Sequence, residues 1–449
     1  MRRILLALAL LAILLAVGSG GAAATEAAED GHGGHAGAIT LVLLGMVIML
    51  VAAKVGGELA QRVDQPAVLG ELVAGVVLGN LALLGYNGLD FLATDAGIAI
   101  LAEIGVVLLL FEVGLESNVP EMLSVGPSSL LVAVLGVVAP FFLGWGLSAW
   151  MLPEEDLLVH LFIGATLTAT SVGITARVLT DLGKVASREA RVILGAAVID
   201  DVMGLVILAV ISGVITAANT GGELATLDVL WIVGKATMFL VGAILIGRWL
   251  SPRVFRLASR LQIRGLLLTL SLAFCFLLAY LAAAIDLAPI VGAFAAGLIL
   301  EKVHYREFLE RGEHELEELI HPITTFLVPL FFVLMGIKVD LSTFGEKGVL
   351  GFALLLSAAA ILGKMICAGG VLEPGLDRIS VAVGMVPRGE VGLIFAGIGA
   401  SLVLHGRPVI SVSIFSAVVI MVIVTTLMTP PVLKYTLARG DRKRGRGEM

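Results

Sequence analysis

From residue 39 onward the chain is an almost unbroken succession of apolar stretches, most of them 18 or more residues long, separated by short polar turns. At 1.5 Å rise per residue, a stretch of that length crosses the ~30 Å hydrocarbon core of a bilayer. Inside lipid every backbone N–H and C=O has to be satisfied by the chain itself, and windows this long do so as helices rather than barrel strands. They fall at 39–60, 66–84, 95–115, 125–151, 158–180, 189–217, 228–249, 264–284, 288–301, 322–341, 347–370, 377–402 and 408–430. Only 14% of the residues are charged, against ~25% in soluble proteins. An all-α, polytopic membrane protein of about thirteen transmembrane helices, solvated by a lipid bilayer, is therefore predicted. The ninth window, with 14 residues, is the shortest.

The ends and loops fix an expected layout. Residues 1–24 read as a secretory signal peptide: Arg2 and Arg3, an apolar run from Ile4 to Val17, then small residues ending Ala22-Ala23-Ala24. Residues 25–38 form an outer polar segment with His32 and His35, 39–430 the transmembrane domain, and 431–449 a basic tail. Thirteen spans that start outside end inside. Lys434, Arg439, Arg442, Lys443, Arg444 and Arg446 then lie in the cytoplasm, together with Lys184, Arg188 and Arg191, with Arg253, Arg256, Arg260 and Arg264, and with Lys302, Arg306 and Arg311. The positive-inside rule agrees and implies a multi-pass protein with its N-terminus outside and its C-terminus cytoplasmic.

The net charge of −7 is spread over loops and implies no nucleic-acid partner. Cys275 and Cys367 both lie in apolar stretches, which gives neither a disulfide framework nor metal-ligand spacing. With no GxxxxGK[ST] and no strand-linked GxGxxG, neither a nucleotide engine nor a cofactor is expected. The chain reads as a transporter and not an enzyme, with work supplied by an ion gradient or a partner chain. Leu110-Phe111-Glu112-Val113-Gly114-Leu115 closes the third window and Phe332-Val333-Leu334-Met335-Gly336-Ile337 the tenth. Six spans, a linking seventh and six more would form an inverted repeat with its site near the midplane.

Ionisable groups inside apolar windows mark that site. Asp200 and Asp201 stand in the middle of the sixth window, within Gly195 to Val206. Each buried charge at that depth costs about 2.5 to 3.5 kcal/mol on the gentlest insertion scale. Two carboxylates ~4 Å apart at an effective dielectric of ~20 repel by about 4 kcal/mol, or about three pKa units. Both cannot stay ionised unaided near neutral pH, so a cation or a proton relieves one of them. Neighbours on a helix point ~100° apart, so one can face a fixed partner and the other water. The fixed partner suggested by the sequence is Lys364, deep in the eleventh window; snorkelling toward the inner surface is its alternative. An ion pair of Lys364 with Asp200, broken and remade as the site is loaded, would make Lys364 a proton carrier.

Two windows look broken. The fifth contains Thr166-Leu167-Thr168-Ala169-Thr170-Ser171-Val172-Gly173-Ile174-Thr175, in which Thr168, Thr170 and Ser171 weaken the helix and offer oxygen ligands. The twelfth contains Val386-Pro387-Arg388-Gly389-Glu390-Val391-Gly392, and Arg388 with Glu390 is read as a structural or gating pair. Breaks at corresponding places in two repeats point to a transport site, because freed carbonyls and helix ends then face the ion. Glu71, Glu103 and Glu112 are further acids in the second and third windows, and His304, His314 and His321 lie in or beside a Glu-rich loop that reads as solvated.

In these stretches the chain resembles the NapA-type bacterial sodium/proton antiporters of the monovalent cation:proton antiporter superfamily. The resemblance runs in order through Gln65 to Glu71 with Ala74-Gly75, Thr168 to Arg177, Ala196 to Gly204, Ala288 to Phe294, Leu362-Gly363-Lys364 and Pro387 to Ile394. It implies a dimerisation domain and a mobile core that moves like an elevator, hence a homodimer, with Asp201 as the transient Na⁺ site and Asp200 as the partner of Lys364. The resulting expectation is electrogenic exchange of Na⁺ or Li⁺ for H⁺ across a bacterial inner membrane. A K⁺/H⁺ exchanger is the alternative within the class; an ion channel or a sodium-coupled organic anion symporter on the same scaffold are alternatives outside it.

Overall fold

The computed structural model describes residues 34–447 except 64, 87, 117–125, 172–173, 176–177, 180–181, 185–186, 220–225, 262, 264, 286, 301–304, 310–313 and 346–347. The expected signal peptide and most of the outer polar segment lie outside the described residues. The chain is all-α: α1 (Gly34–Arg62), α2 (Ala67–Gly79), α3 (Ala96–Glu116), α4 (Pro127–Met151), α5 (Leu157–Thr166), α6 (Arg188–Asn219), α7 (Thr226–Ala258), α8 (Leu266–Ala283), α9 (Pro289–Ile299), α10 (Leu316–Ile337), α11 (Val349–Met365), α12 (Arg378–Gly384), α13 (Glu390–Ser401) and α14 (Val412–Gly447). The one strand pair among the described residues is a two-residue hairpin, β1 (Val403–Leu404) with β2 (Arg407–Pro408), turned at His405 and Gly406, both at positive φ.

Helix occupies every apolar window of the sequence, and eight helical segments are long and apolar enough to cross a membrane. The short ninth window holds the 11-residue α9. Several expected boundaries move, and two helices run on well past theirs: α7 to Ala258, beyond residue 249, and α14 past Pro430 and Pro431. The second extension has a packing cause: Leu433 and Leu437 bury themselves against Leu179, Ala190 and Val383, and this apolar contact outweighs the lost backbone hydrogen bonds.

The described chain forms two compact units. The first comprises Met1–Val106, Thr325–Leu354 and Val412–Ile423, and the second Val107–Thr324, Leu355–Ser411 and Val424–Met449. Each is built on glycine contacts that recur at a constant spacing of 222 residues. In the first unit Gly70 abuts the backbone of Gly56, and a Cβ on Gly75 would lie 2.9 Å from the Cα of Gly336. In the second unit Gly292 abuts the backbone of Leu278, and a Cβ on Gly297 would lie 2.7 Å from the Cα of Gly114. Gly70 and Gly292, Gly75 and Gly297, Gly114 and Gly336 are the paired positions. The short echo between residues 110–115 and 332–337 is thus one visible part of a repeat written mainly in glycines. Helices in lipid gain little from hydrophobic attraction and associate by close backbone packing, which small residues permit.

In the second unit two short helices, α5 and α12, begin alike. The Asp156 carboxylate accepts from Leu158 N at 2.8 Å to cap α5, and the Asp377 carboxylate accepts from Ile379 N at 3.2 Å to cap α12. An acceptor at the N-terminus satisfies an orphan donor and complements the positive end of the helix dipole. Gly75→Val and Gly297→Val should therefore destabilise the detergent-solubilised protein to a similar degree, by about 1 to 3 kcal/mol as overpacking does. Gly146→Val, at a glycine with open space around it, should leave the thermal unfolding midpoint unchanged.

Candidate ion-binding site

The second unit brings the two broken windows together. α5 stops at Thr166, where the Thr166 hydroxyl donates back to Phe162 O at 3.0 Å and that of Thr168 to Ala165 O at 2.7 Å. Such bonds compete with the helical ladder, and residues 169–171 leave it altogether. α12 stops at Gly384, and residues 386–389 run without regular structure before α13 begins at Glu390. The two irregular stretches cross: Ser171 N–H donates to Pro387 O at 2.9 Å, and the Thr175 hydroxyl donates to Gly384 O at 2.7 Å. Gly389 is required here, because a Cβ at that position would lie 2.6 Å from Ser171 Oγ. Thr168, Thr170 and Ser171 are all buried, and the Thr170 hydroxyl has no hydrogen-bond partner among the described residues.

Arg388 occupies the crossing. It is fully buried, and its guanidinium donates to Thr168 O at 3.0 Å, to Ala169 O, and more weakly to Ala360 O at 3.5 Å. A planar fork of donors thus sits on the carbonyl end of α5, where the helix dipole is negative. Its own backbone is held by α14, with Arg388 N–H donating to Thr425 Oγ1 at 3.3 Å and Thr426 Oγ1 donating to Arg388 O at 2.8 Å. The described partners of Arg388 are therefore main chain and threonine; Glu390 opens α13, and its side chain lies outside the described part. The sequence reading missed Thr425 and Thr426, whose only signal is a pair of adjacent hydroxyls in a largely apolar window.

The acids lie on α6. Asp200 on α6 is 1% exposed and Lys364 on α11 is 0% exposed, and Lys364 Nζ donates to Asp200 Oδ1 at 2.8 Å. The second oxygen, Asp200 Oδ2, is buried with no hydrogen-bond partner among the described residues. Lys364 thus points to α6 and not along a snorkelling path to the surface. Asp201, the next residue on α6, is also buried and turned ~100° from Asp200. The crossing and the acids adjoin: a Cβ on Gly204, one turn along α6, would lie 3.7 Å from Thr168 Oγ1.

Charge accounting follows from this geometry. Lys364 serves Asp200 directly, and Arg388 serves the freed carbonyls of α5. An ion pair taken out of water is costly to break by removing one partner, because an uncompensated charge remains. Of the other acids, Glu71 is buried on α2 and Glu103 lies on α3, both in the first unit. In the second unit Glu112 Oε1 comes within 3.4 Å of His321 Nδ1. Among the described residues, no group of three or more His, Cys, Asp or Glu could hold a metal ion. Arg388→Lys, which keeps the charge and loses the fork, should lower stability by about 1 to 3 kcal/mol as buried carbonyls lose their donors. Thermal unfolding in detergent checks this, and an unchanged midpoint would contradict the role given to the fork.

Residues 45–435 match the family described as sodium/hydrogen exchanger, transmembrane. A high-affinity Na⁺/H⁺ antiporter of Synechocystis, NhaS3, is 39% identical over 88% of this chain and 89% of its own length. A Na⁺/H⁺-K⁺ antiporter of Bacillus cereus, GerN, is 36% identical over 88% of this chain and 96% of its own. The sodium proton antiporter MjNhaP1 of Methanocaldococcus jannaschii aligns in structure with a TM-score of 0.67 over 89% of this chain and 97% of its own, at 16% identity, which is a likeness of fold.

Proposed function

Because this chain belongs to the sodium/hydrogen exchanger family, we propose that it exchanges Na⁺, or Li⁺, for protons across a bacterial inner membrane by competition at Asp201 and Asp200. The observation that carries this reading is the pair of adjacent buried carboxylates on α6, one of them bonded to a buried lysine at 2.8 Å.

The chemistry follows from what those groups can hold. A dehydrated alkali cation needs oxygen ligands and negative charge, and it gains most from a carboxylate in a low-dielectric site. Asp201 supplies that carboxylate, with the hydroxyls of Thr168, Thr170 and Ser171 as supporting oxygens. When a cation reaches Asp201, the nearby positive charge of Lys364 becomes unfavourable, and its proton leaves. When protons return, Asp201 is neutralised, Lys364 is recharged and re-forms its bond to Asp200. If Asp201 and Lys364 each release a proton for one Na⁺, one net charge moves per cycle, so exchange is electrogenic. Arg388 takes no proton in this cycle; it keeps the crossing closed while the cargo changes. Elevator movement of a core carrying the site, residues 39–430 as the transport domain, a homodimer, and an outer N-terminus with a cytoplasmic C-terminus complete the proposal.

A second reading is K⁺/H⁺ exchange, favoured by one observation: a relative 36% identical, GerN, is named a Na⁺/H⁺-K⁺ antiporter. Proteoliposomes with a preset pH gradient separate the two, since the chloride salt that dissipates the gradient identifies the cation. Na⁺ and Li⁺ should act and K⁺ should be weak. Asp201→Asn should abolish the response, and full sodium-driven proton movement by that variant would refute the site.

A further inference from the structure

The broken stretch after α5 and the helix α13 both approach α6 at a glycine. Gly204 is buried, three residues after Asp201 and four after Asp200, and positions three and four apart share a helix face. A Cβ built on Gly204 would lie 3.6 Å from Phe395 Cζ and 3.7 Å from Thr168 Oγ1; beyond its own helix backbone it would meet no other atom of the described residues within 4 Å. Both distances are ordinary van der Waals contacts, so an alanine fits. Other buried glycines of this unit differ: a Cβ on Gly292 would collide with the backbone of Leu278, and one on Gly384 would lie 2.6 Å from Ile193 Cδ1. Nor does the backbone ask for glycine at 204. Its φ is not positive, and it stands well inside the 32-residue α6, where glycine is unfavourable relative to alanine. Neither packing nor conformation accounts for this glycine; the room beside it does.

That room suits a cation. The Thr168 hydroxyl gives its proton to Ala165 O at 2.7 Å, so its oxygen has lone pairs left to offer. Phe395, 0% exposed, bounds the space with an apolar ring edge that brings no competing ligand. A cation held at Asp201 needs volume for itself and for any water it keeps, and the bare ion grows from Li⁺ to Na⁺ to K⁺. We propose that Gly204 is a specificity-determining residue: the space left by its missing side chain, between the Thr168 hydroxyl and the Phe395 ring, sets the largest cation that Asp201 accepts. The inference rests on the reading of Asp201 as the cation site and adds to it what measures the ion. A methyl at residue 204 takes volume from the larger ion first, so it disfavours Na⁺ against Li⁺.

The test uses the full chain in two assays. In proteoliposomes at one fixed pH, proton movement gives the half-saturating concentrations of Na⁺ and Li⁺. In detergent, the rise of the thermal unfolding midpoint with added NaCl or LiCl reports binding without transport. Gly204→Ala should raise the half-saturating Na⁺ concentration relative to that of Li⁺ by about tenfold, the lower end of what one carbon is worth in a fitted pocket. Its midpoint without added Na⁺ or Li⁺ should stay at or above wild type, because alanine favours the helix. The rise produced by NaCl should shrink and that produced by LiCl should remain. Gly204→Ala/Phe395→Leu, which trims the other wall, should move the ratio back toward wild type; the single variant decides if the double one does not fold. Gly146→Ala, at a glycine with open space around it, is the control and should leave the ratio unchanged. An unmoved ratio in Gly204→Ala, an equal loss of affinity for both ions, or the same shift in Gly146→Ala overturns the proposal. Asp201→Asn separates the two levels. If that variant keeps wild-type exchange and stabilisation by both salts, the reading of Asp201 fails, whereas their loss in Asp201→Asn beside a wild-type ratio in Gly204→Ala fails only the role of Gly204.

Discussion

A lysine and an aspartate held 2.8 Å apart with no exposed surface are the constraint around which the second unit is arranged. Neither charge is tolerable alone in such surroundings, so α6 and α11 must stay in register, and whatever alters one charge is felt by the other. Asp201 follows Asp200 on the same helix, so in the proposed exchange an ion arriving there changes the field at Lys364 and couples cargo to proton through electrostatics.

The broken helices supply the second half of the arrangement. Interrupting α5 and α12 frees carbonyls that lipid would not tolerate. Arg388 takes up those of Thr168 and Ala169, and α14 fixes Arg388 through Thr425 and Thr426. The hydroxyls of the fifth window therefore divide their labour. Thr166 and Thr168 unwind the helix end by bonding backward, Thr175 ties the crossing to Gly384, and the Thr170 hydroxyl remains buried without a hydrogen-bond partner among the described residues.

Much of this was legible in the sequence because lipid makes exceptions expensive. Apolar windows longer than 18 residues announced helices, and Asp200, Asp201, Lys364 and Arg388 stood out as charges where charge is costly. The breaks at 168–175 and 387–392 were readable from hydroxyl, proline and glycine density. What escaped was encoded by absence or by distance in sequence. The repeat at 222-residue spacing is carried by glycines whose common property is a missing atom, and Gly204 looks like any other glycine of an apolar helix until the Thr168 hydroxyl and the Phe395 ring are seen beside it. Cys367 read as a small apolar filler, and it lies at the ion pair. The run of α14 past Pro430 and Pro431 could not be anticipated either, because the contacts of Leu433 and Leu437 are tertiary.

The central claim is that a metal cation and protons cannot occupy the buried acids together. Calorimetric titration of the purified protein with Na⁺, in buffers of different ionisation enthalpy, measures it directly, since the buffer dependence of the heat counts protons released per cation bound. Between one and two protons should appear for each Na⁺, and none in Asp201→Asn. Sodium binding by the wild-type protein with a heat independent of the buffer would mean that cation and proton do not compete, and the account of exchange given for these residues would be wrong.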